Sequence, residues 1–308
     1  MCIRDSYTTS PVHNLETWLD YAKKVEDSGA DSFAIKDMAG ILKPYDAFEL
    51  VTALKDKLSI PIHMQCHATT GMSTASNLKA IEAGIDNIDT SISSMSMTYG
   101  HSATETLVSM FSDREADLGL DINLLGDISD YFRVIREKYS EFEGSLKGVD
   151  STMLIKQVPG GMLSNLESQL KTINQQDKLE KVKDEIAKVR EDFGYPPLVT
   201  PVSQIIGAQS LLNVTENSKY GSLTSETKKL VLGAYGKLPG KVKEEIVKKA
   251  SEDPPEQEDE RKLEEIAEEL KTICSKNNLP DLSDNTESLL TYTLFSNTAV
   301  NFFKERNF

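Results

Sequence analysis

The chain has 308 residues, 39% of them hydrophobic and 27% charged, a balance that suits a folded protein able to bury a sizeable core. Its formal net charge of −15 excludes the basic footprint that nucleic acid or an anionic membrane surface requires. Three cysteines, Cys2, Cys66 and Cys274, make no disulfide framework and point to a reducing, cytoplasmic compartment. No apolar run approaches the ~18 residues of a membrane span, and Met1–Pro11 has no signal-type apolar segment.

The hexapeptide MCIRDS at 1–6 does not open like a domain and has the look of a non-native remnant, while Tyr7 reads as the end of a strand. A helix follows over Asn14–Ser28, with Asn14 as N-cap and Gly29 just past its end. Short apolar runs then alternate with amphipathic helices. Strands fall at Ser32–Lys36, Ile60–His67 and Asn87–Ile92, helices at Pro44–Lys57 and Ser73–Ala83, and Thr104–Phe111 begins another. This recurrence is that of consecutive βα units around a parallel sheet. Polar residues close each strand, where parallel α/β folds place their chemistry. From Asp121 onward the strands stop. Helices are expected at Ile122–Tyr139, Gly161–Ile173, Gln176–Glu191, Pro201–Asn213, Ser225–Leu232 and Lys241–Ala250. Ser251–Arg261 is rich in Glu, Asp and Pro and reads as an acidic linker, followed by helices at Arg261–Ser275 and Glu287–Arg306.

Four groups of residues could carry chemistry. On a strand, His63, Gln65 and His67 share one face, where the histidines could ligate a metal or simply be satisfied rim residues. Lys36 ends an apolar strand at the mouth of the sheet. It is either a partly desolvated, reactive amine or the partner of Asp37 in a rim ion pair. Gly160 and Gly161 precede a helix and could present N–H groups to an anion, or form only a turn. Thr200 stands before Pro201 as a natural helix N-cap. No GxGxxG or Walker motif indicates a nucleotide.

Taken in order, IKDMAGILKP at 35–44, PIHMQCHATTG at 61–71, DTSISSMSMTYGHSATETLV at 89–108, QVPGGMLSNL at 157–166 and GYPPLVTPVSQIIGAQSLLNV at 194–214 carry a resemblance. They resemble the carboxyltransferases of biotin-dependent enzymes acting on pyruvate and oxaloacetate. The nearest groups are the alpha subunit of oxaloacetate decarboxylase, favoured by SSMSMTYGHSATE, and the carboxyltransferase subunit of two-subunit pyruvate carboxylase. The resemblance implies a TIM barrel followed by a helical funnel domain. It makes this chain strands five to eight of the barrel, over 7–118, with the funnel domain over 119–308. It implies a divalent zinc or manganese ion held by a strand-one aspartate, a carbamylated lysine matching Lys36, and two histidine positions that fall here on Gln65 and His67. Gln65 departs from the pattern, since an amide oxygen is a weaker ligand than imidazole; His63, on the same strand face but two residues deeper, is the alternative. Thr200 matches the family's proton-shuttling threonine, and Gly160 and Gly161 match its funnel loop near the biotin. The strand-one aspartate and the substrate-holding arginine and glutamine do not occur in this sequence, so the chain by itself is expected to be inactive. The implied partners are a biotinyl carrier domain and either sodium-pumping membrane subunits or a biotin carboxylase, in a homo-oligomer. An inactive metal-binding relative is the rival from another class. A metal-dependent aldolase or acyl-CoA lyase of the same barrel type would lack the segments at 157–214.

Overall fold

The computed structural model describes residues 2–6, 10–112, 114, 118–143, 146–150, 153–156, 160–255 and 262–306. The chain divides into two units, Met1–Pro255 and Glu256–Phe308.

The first unit opens with a parallel sheet in the order β1 (Cys2–Ser6), β2 (Ser32–Asp37), β3 (Ile62–Cys66), β4 (Asn87–Ile88). Each strand pairs with the next in sequence, and the register runs Cys2↔Ser32 to Ser6↔Lys36, then Phe33↔Ile62 to Asp37↔Cys66. Cys2–Ser6, expected as a remnant, therefore forms a strand. Ladder pairing needs only backbone groups, which any extended segment supplies to an open edge. Tyr7, expected to end that strand, lies outside the described residues.

Three helices connect the strands: α1 (Leu15–Asp27), α2 (Pro44–Lys57) and α3 (Ser73–Glu82). Asn14 caps α1 by accepting the Thr17 N–H at 2.9 Å, and Gly29 follows at φ +86°. The apolar face of the sheet packs beneath them. Trp18, Ala22 and Val25 of α1 and Leu50, Val51 and Leu54 of α2 meet Phe33, Ile35, Ile62 and Met64 in one core. Two strands are shorter than the sequence suggests. β3 starts after Pro61, which has no N–H to give the ladder. β4 ends at Ile88 because the chain beyond it pairs elsewhere: Ser91 N–H donates to Ser102 at 3.0 Å, and Thr104 N–H to Ser91 at 2.8 Å.

Helices then take over: α4 (Thr104–Phe111), α5 (Ile122–Lys138), α6 (Met153–Lys156), α7 (Gly160–Thr172), α8 (Leu179–Asp192), α9 (Val202–Thr215), α10 (Ser225–Val231) and α11 (Glu244–Glu252). Val182, Ile186 and Val189 of α8 pack with Ile205 and Ile206 of α9, Leu230 of α10 and Ile246 of α11 in a second core. Asp192 ties its margin together. It accepts the Tyr220 hydroxyl at 2.7 Å and pairs with Lys219 at 2.8 Å and Lys243 at 2.6 Å. The expected acidic linker begins later than the sequence suggests. α11 runs through Glu252 and ends before Pro254, while 256–261 lie outside the described residues.

The second unit holds α12 (Leu263–Lys276) and α13 (Thr286–Glu305), packed through Ile266, Leu270, Cys274, Tyr292 and Phe303. Among the described residues no helix is long and apolar enough to cross a membrane.

Candidate functional site

Successive residues of a strand point to opposite faces, and β2 and β3 divide along that line. Phe33, Ile35, Ile62, Met64 and Cys66 enter the core beneath the helices, and Asp37 is fully buried on the same side. Lys36, His63, Gln65 and His67 take the other face and are half-buried. The parallel register sets Lys36 directly beside Gln65. The Lys36–Asp37 rim pair does not form, because neighbours on a strand cannot share a face. Asp37 Oδ2 instead accepts the Leu42 N–H at 2.8 Å and the Cys66 thiol at 3.4 Å, fixing the loop after β2. Burial pushes the Asp37 carboxyl up, against the N–H groups of Leu42, Ile41 and Gly40 that pull it down. Burial also drives the Cys66 thiol up, helped by the neighbouring carboxylate.

The three histidines near this face have separate tasks. His63 Nε2 lies 2.9 Å from Asp89 Oδ1, so that nitrogen is engaged with a carboxylate. His67 Nδ1 donates to the Tyr99 carbonyl at 2.6 Å, which leaves Nε2 with a free lone pair. Burial is the main reason that the His67 ring is held below its ordinary value, with His101 and Lys36 adding to the effect. A neutral imidazole is the form that serves as ligand or base.

His101 completes the cluster and was not singled out by the sequence. Its ring lies 4.7 Å from that of His67, its Nδ1 3.3 Å from the Cys66 carbonyl, and its Nε2 3.4 Å from Gln65 Nε2. The usable signal was a histidine after Gly100, in the segment following the last strand of the sheet. That segment is held firmly: Met97 N–H donates to the His101 carbonyl at 2.7 Å, Ala68 N–H to Gly100 at 2.8 Å, and Ser93 Oγ meets Ser129 Oγ of α5 at 2.7 Å.

Among the described residues no three His, Cys, Asp or Glu side chains gather as a metal cluster. The donors present are of mixed kind. They are His67 Nε2, the Gln65 Oε1 atom, which is buried without a hydrogen-bond partner, and Lys36, which becomes an oxygen donor only as a carbamate. A buried carbonyl oxygen left unpaired costs about 1–3 kcal/mol, and a cation is one partner that would remove that cost. This set therefore fits a divalent ion.

Thr200 is exposed and stands just before α9. It is not the expected helix cap. The N-cap position is Pro201, and Val199 has already taken the Ser203 N–H at 2.9 Å with its carbonyl, leaving no role for the hydroxyl. The described contacts do not join Thr200 to the Lys36–Gln65–His67 face. Gly160 and Gly161 stand inside the first turn of α7 rather than in a loop before it, and Pro159 lies outside the described residues.

The conserved carboxylase domain family matches residues 153–308, and the HMGL-like family matches residues 4–132. A pyruvate carboxylase subunit of Methanocaldococcus jannaschii is 42% identical over 299 residues, which cover 97% of this chain and 53% of that protein. The methylmalonyl-CoA carboxyltransferase 5S subunit of Propionibacterium freudenreichii subsp. shermanii is 40% identical over 316 residues, covering 97% of this chain and 60% of that protein. The solved carboxyl transferase domain of Rhizobium etli pyruvate carboxylase with pyruvate and biocytin has a TM-score of 0.86 at 27% identity, covering 97% of this chain and 53% of that one. The chain spans about half to three fifths of the length of these relatives. Its small parallel sheet followed by helices resembles part of such carboxyltransferase domains, whose HMGL-like portion is TIM-barrel-like.

Proposed function

The chain belongs to the biotin-dependent carboxylase family marked by the conserved carboxylase domain, and on that premise we propose that it is part of a carboxyltransferase that moves a carboxyl group between biotin and the pyruvate–oxaloacetate pair. The observation that carries the reading is the meeting of Lys36, Gln65 and His67 on one sheet face, beside the free Nε2 of His67. Biotin is carried by another domain or polypeptide. Run toward pyruvate, this half-reaction is that of an oxaloacetate decarboxylase alpha subunit. It is favoured by SSMSMTYGHSATE at 93–105 and would pair with sodium-pumping membrane subunits. Run toward oxaloacetate, it is that of the carboxyltransferase subunit of a pyruvate carboxylase, the enzyme for which the Methanocaldococcus jannaschii relative is named, with a biotin carboxylase as partner. In either case the chain works on the cytoplasmic side.

The chain's own residues divide the work. His67 presents Nε2 because Tyr99 holds Nδ1. Lys36, as its carbamate, would present an anionic oxygen beside Gln65. A zinc or manganese ion, when bound by these groups, supplies the positive charge that stabilises the enolate of pyruvate. Thr200 passes a proton between the methyl carbon of pyruvate and the ureido nitrogen of biotin; its hydroxyl is uncommitted because the start of α9 does not use it. The helical residues 119–308 make up the funnel domain, and Gly160 and Gly161, at the start of α7, shape the funnel near the biotin.

The test is to supply the full-length protein with oxaloacetate, with and without free biotin, and measure pyruvate. Biotin-dependent turnover is the expected result. Equal turnover without biotin, or none with it, overturns the reading.

A further inference from the structure

The amide of Gln65 has two ends, and its neighbours decide which way they point. His101 Nδ1 faces the Cys66 carbonyl at 3.3 Å, and a carbonyl can only accept. That nitrogen therefore carries the hydrogen, and in the neutral ring Nε2 is left as an acceptor. Facing Nε2 at 3.4 Å is Gln65 Nε2, which can only donate. Turning the amide over would set its oxygen against a lone pair. The consequence is that Gln65 Oε1 points away from His101, buried and without a hydrogen-bond partner, on the strand face that also bears Lys36 and His67.

We propose that His101 is a positioning residue: it locks the Gln65 amide so that the carbonyl oxygen, rather than the NH₂ group, faces a divalent cation shared with His67 Nε2. This rests on the metal-bearing carboxyltransferase reading and explains how a glutamine serves where an unheld amide would be free to present its wrong end. The lock is itself anchored. The Cys66 carbonyl, which also accepts Ser73 Oγ at 3.1 Å, holds the His101 ring, and the Met97 N–H holds its backbone at 2.7 Å.

The test measures the affinity of the full-length protein for Zn²⁺ alone and Mn²⁺ alone, by competition with a chelator. The proteins compared are wild type, His101→Ala, His101→Asn, Gln65→His and Gln65→His/His101→Asn, with circular dichroism and melting temperature as controls of folding. His101→Asn can keep a donor to the Cys66 carbonyl but offers no acceptor where Nε2 stood. It guards against simple collapse of the loop. Both His101 variants should bind metal about 10–100-fold more weakly, the usual effect of losing a group that orients a ligand. In the Gln65→His background the loss should vanish, because an imidazole at 65 has no amide to lock. Unchanged affinity in His101→Asn overturns the inference, and so does an equal loss in the double variant, which would make His101 a general support of the loop. A wild type that binds neither ion removes the metal reading itself, and this inference with it.

Discussion

Gly40 lies against the carbonyl of His67: at its φ of +69°, a Cβ would meet that oxygen at 2.6 Å. The loop after β2 is thus stacked directly on the loop after β3, and Thr70 Oγ1 donates to the Gly40 carbonyl across the same contact. Gly40→Ala must either strain the left-handed backbone or push His67 outward. The expected loss is about 1–3 kcal/mol of stability, measured by urea unfolding, with metal affinity reduced as well. Stability equal to wild type would show that the two loops move freely past each other.

Thr200 now offers a sharper test than its sequence context allowed, because the structure removes the cap. Thr200→Ala should leave the melting temperature almost unchanged, within about 0.5 kcal/mol for an exposed side chain. It should lower biotin-dependent turnover by roughly 10²–10⁴-fold, the range for a positioned proton-transfer group. Thr200→Ser keeps a hydroxyl and should retain part of the activity. Full turnover in the alanine variant would falsify the proton-shuttle assignment.

Gln65→His replaces an amide oxygen by an imidazole nitrogen, the stronger ligand for zinc. The substituted protein, purified without added metal, should contain more zinc or manganese per chain than wild type. Elemental analysis of the two preparations decides the matter. Equal content would mean that the amide is already an adequate ligand.

His13 gives the first unit a defined response to acid. Burial, with the positive charge of Arg190 nearby, lowers its pKa from the ordinary 6.5 to about 4. The unfolded chain therefore takes up a proton before the folded one does as pH falls. The contribution of His13 to stability is full above pH 6.5 and is lost as the solution is acidified toward pH 4. Between pH 7 and pH 4.5 the urea midpoint of wild type should fall further than that of His13→Gln. Parallel falls in the two proteins would show that other groups carry the acid response.

The sequence was most legible where structure is local. α2 begins and ends where Pro44 and Lys57 suggest, and α4 begins at Thr104 as expected, because helix period and end signals act within a turn or two. The alternation along β3 likewise puts His63, Gln65 and His67 on one face, and the register brings Lys36 to it. What escaped was set by distant chain. β4 is short because 102–104 compete for its continuation, and Thr200 is no cap because Val199 reaches Ser203 first. His101 approaches Gln65 from 36 residues away, a distance at which no pattern of periodicity carries information.

The order of the sheet has a consequence for assembly. Each strand hydrogen-bonds to the strand that follows it in the chain, with only one connecting helix between them. The sheet can accordingly grow by one βα unit at a time as the polypeptide emerges from the ribosome, without waiting for a distant partner. Lys36 is synthesised first, Gln65 follows on the next strand, and His101 comes after both. On that order the residue proposed to orient the glutamine is synthesised only after the two strands that carry Lys36 and Gln65.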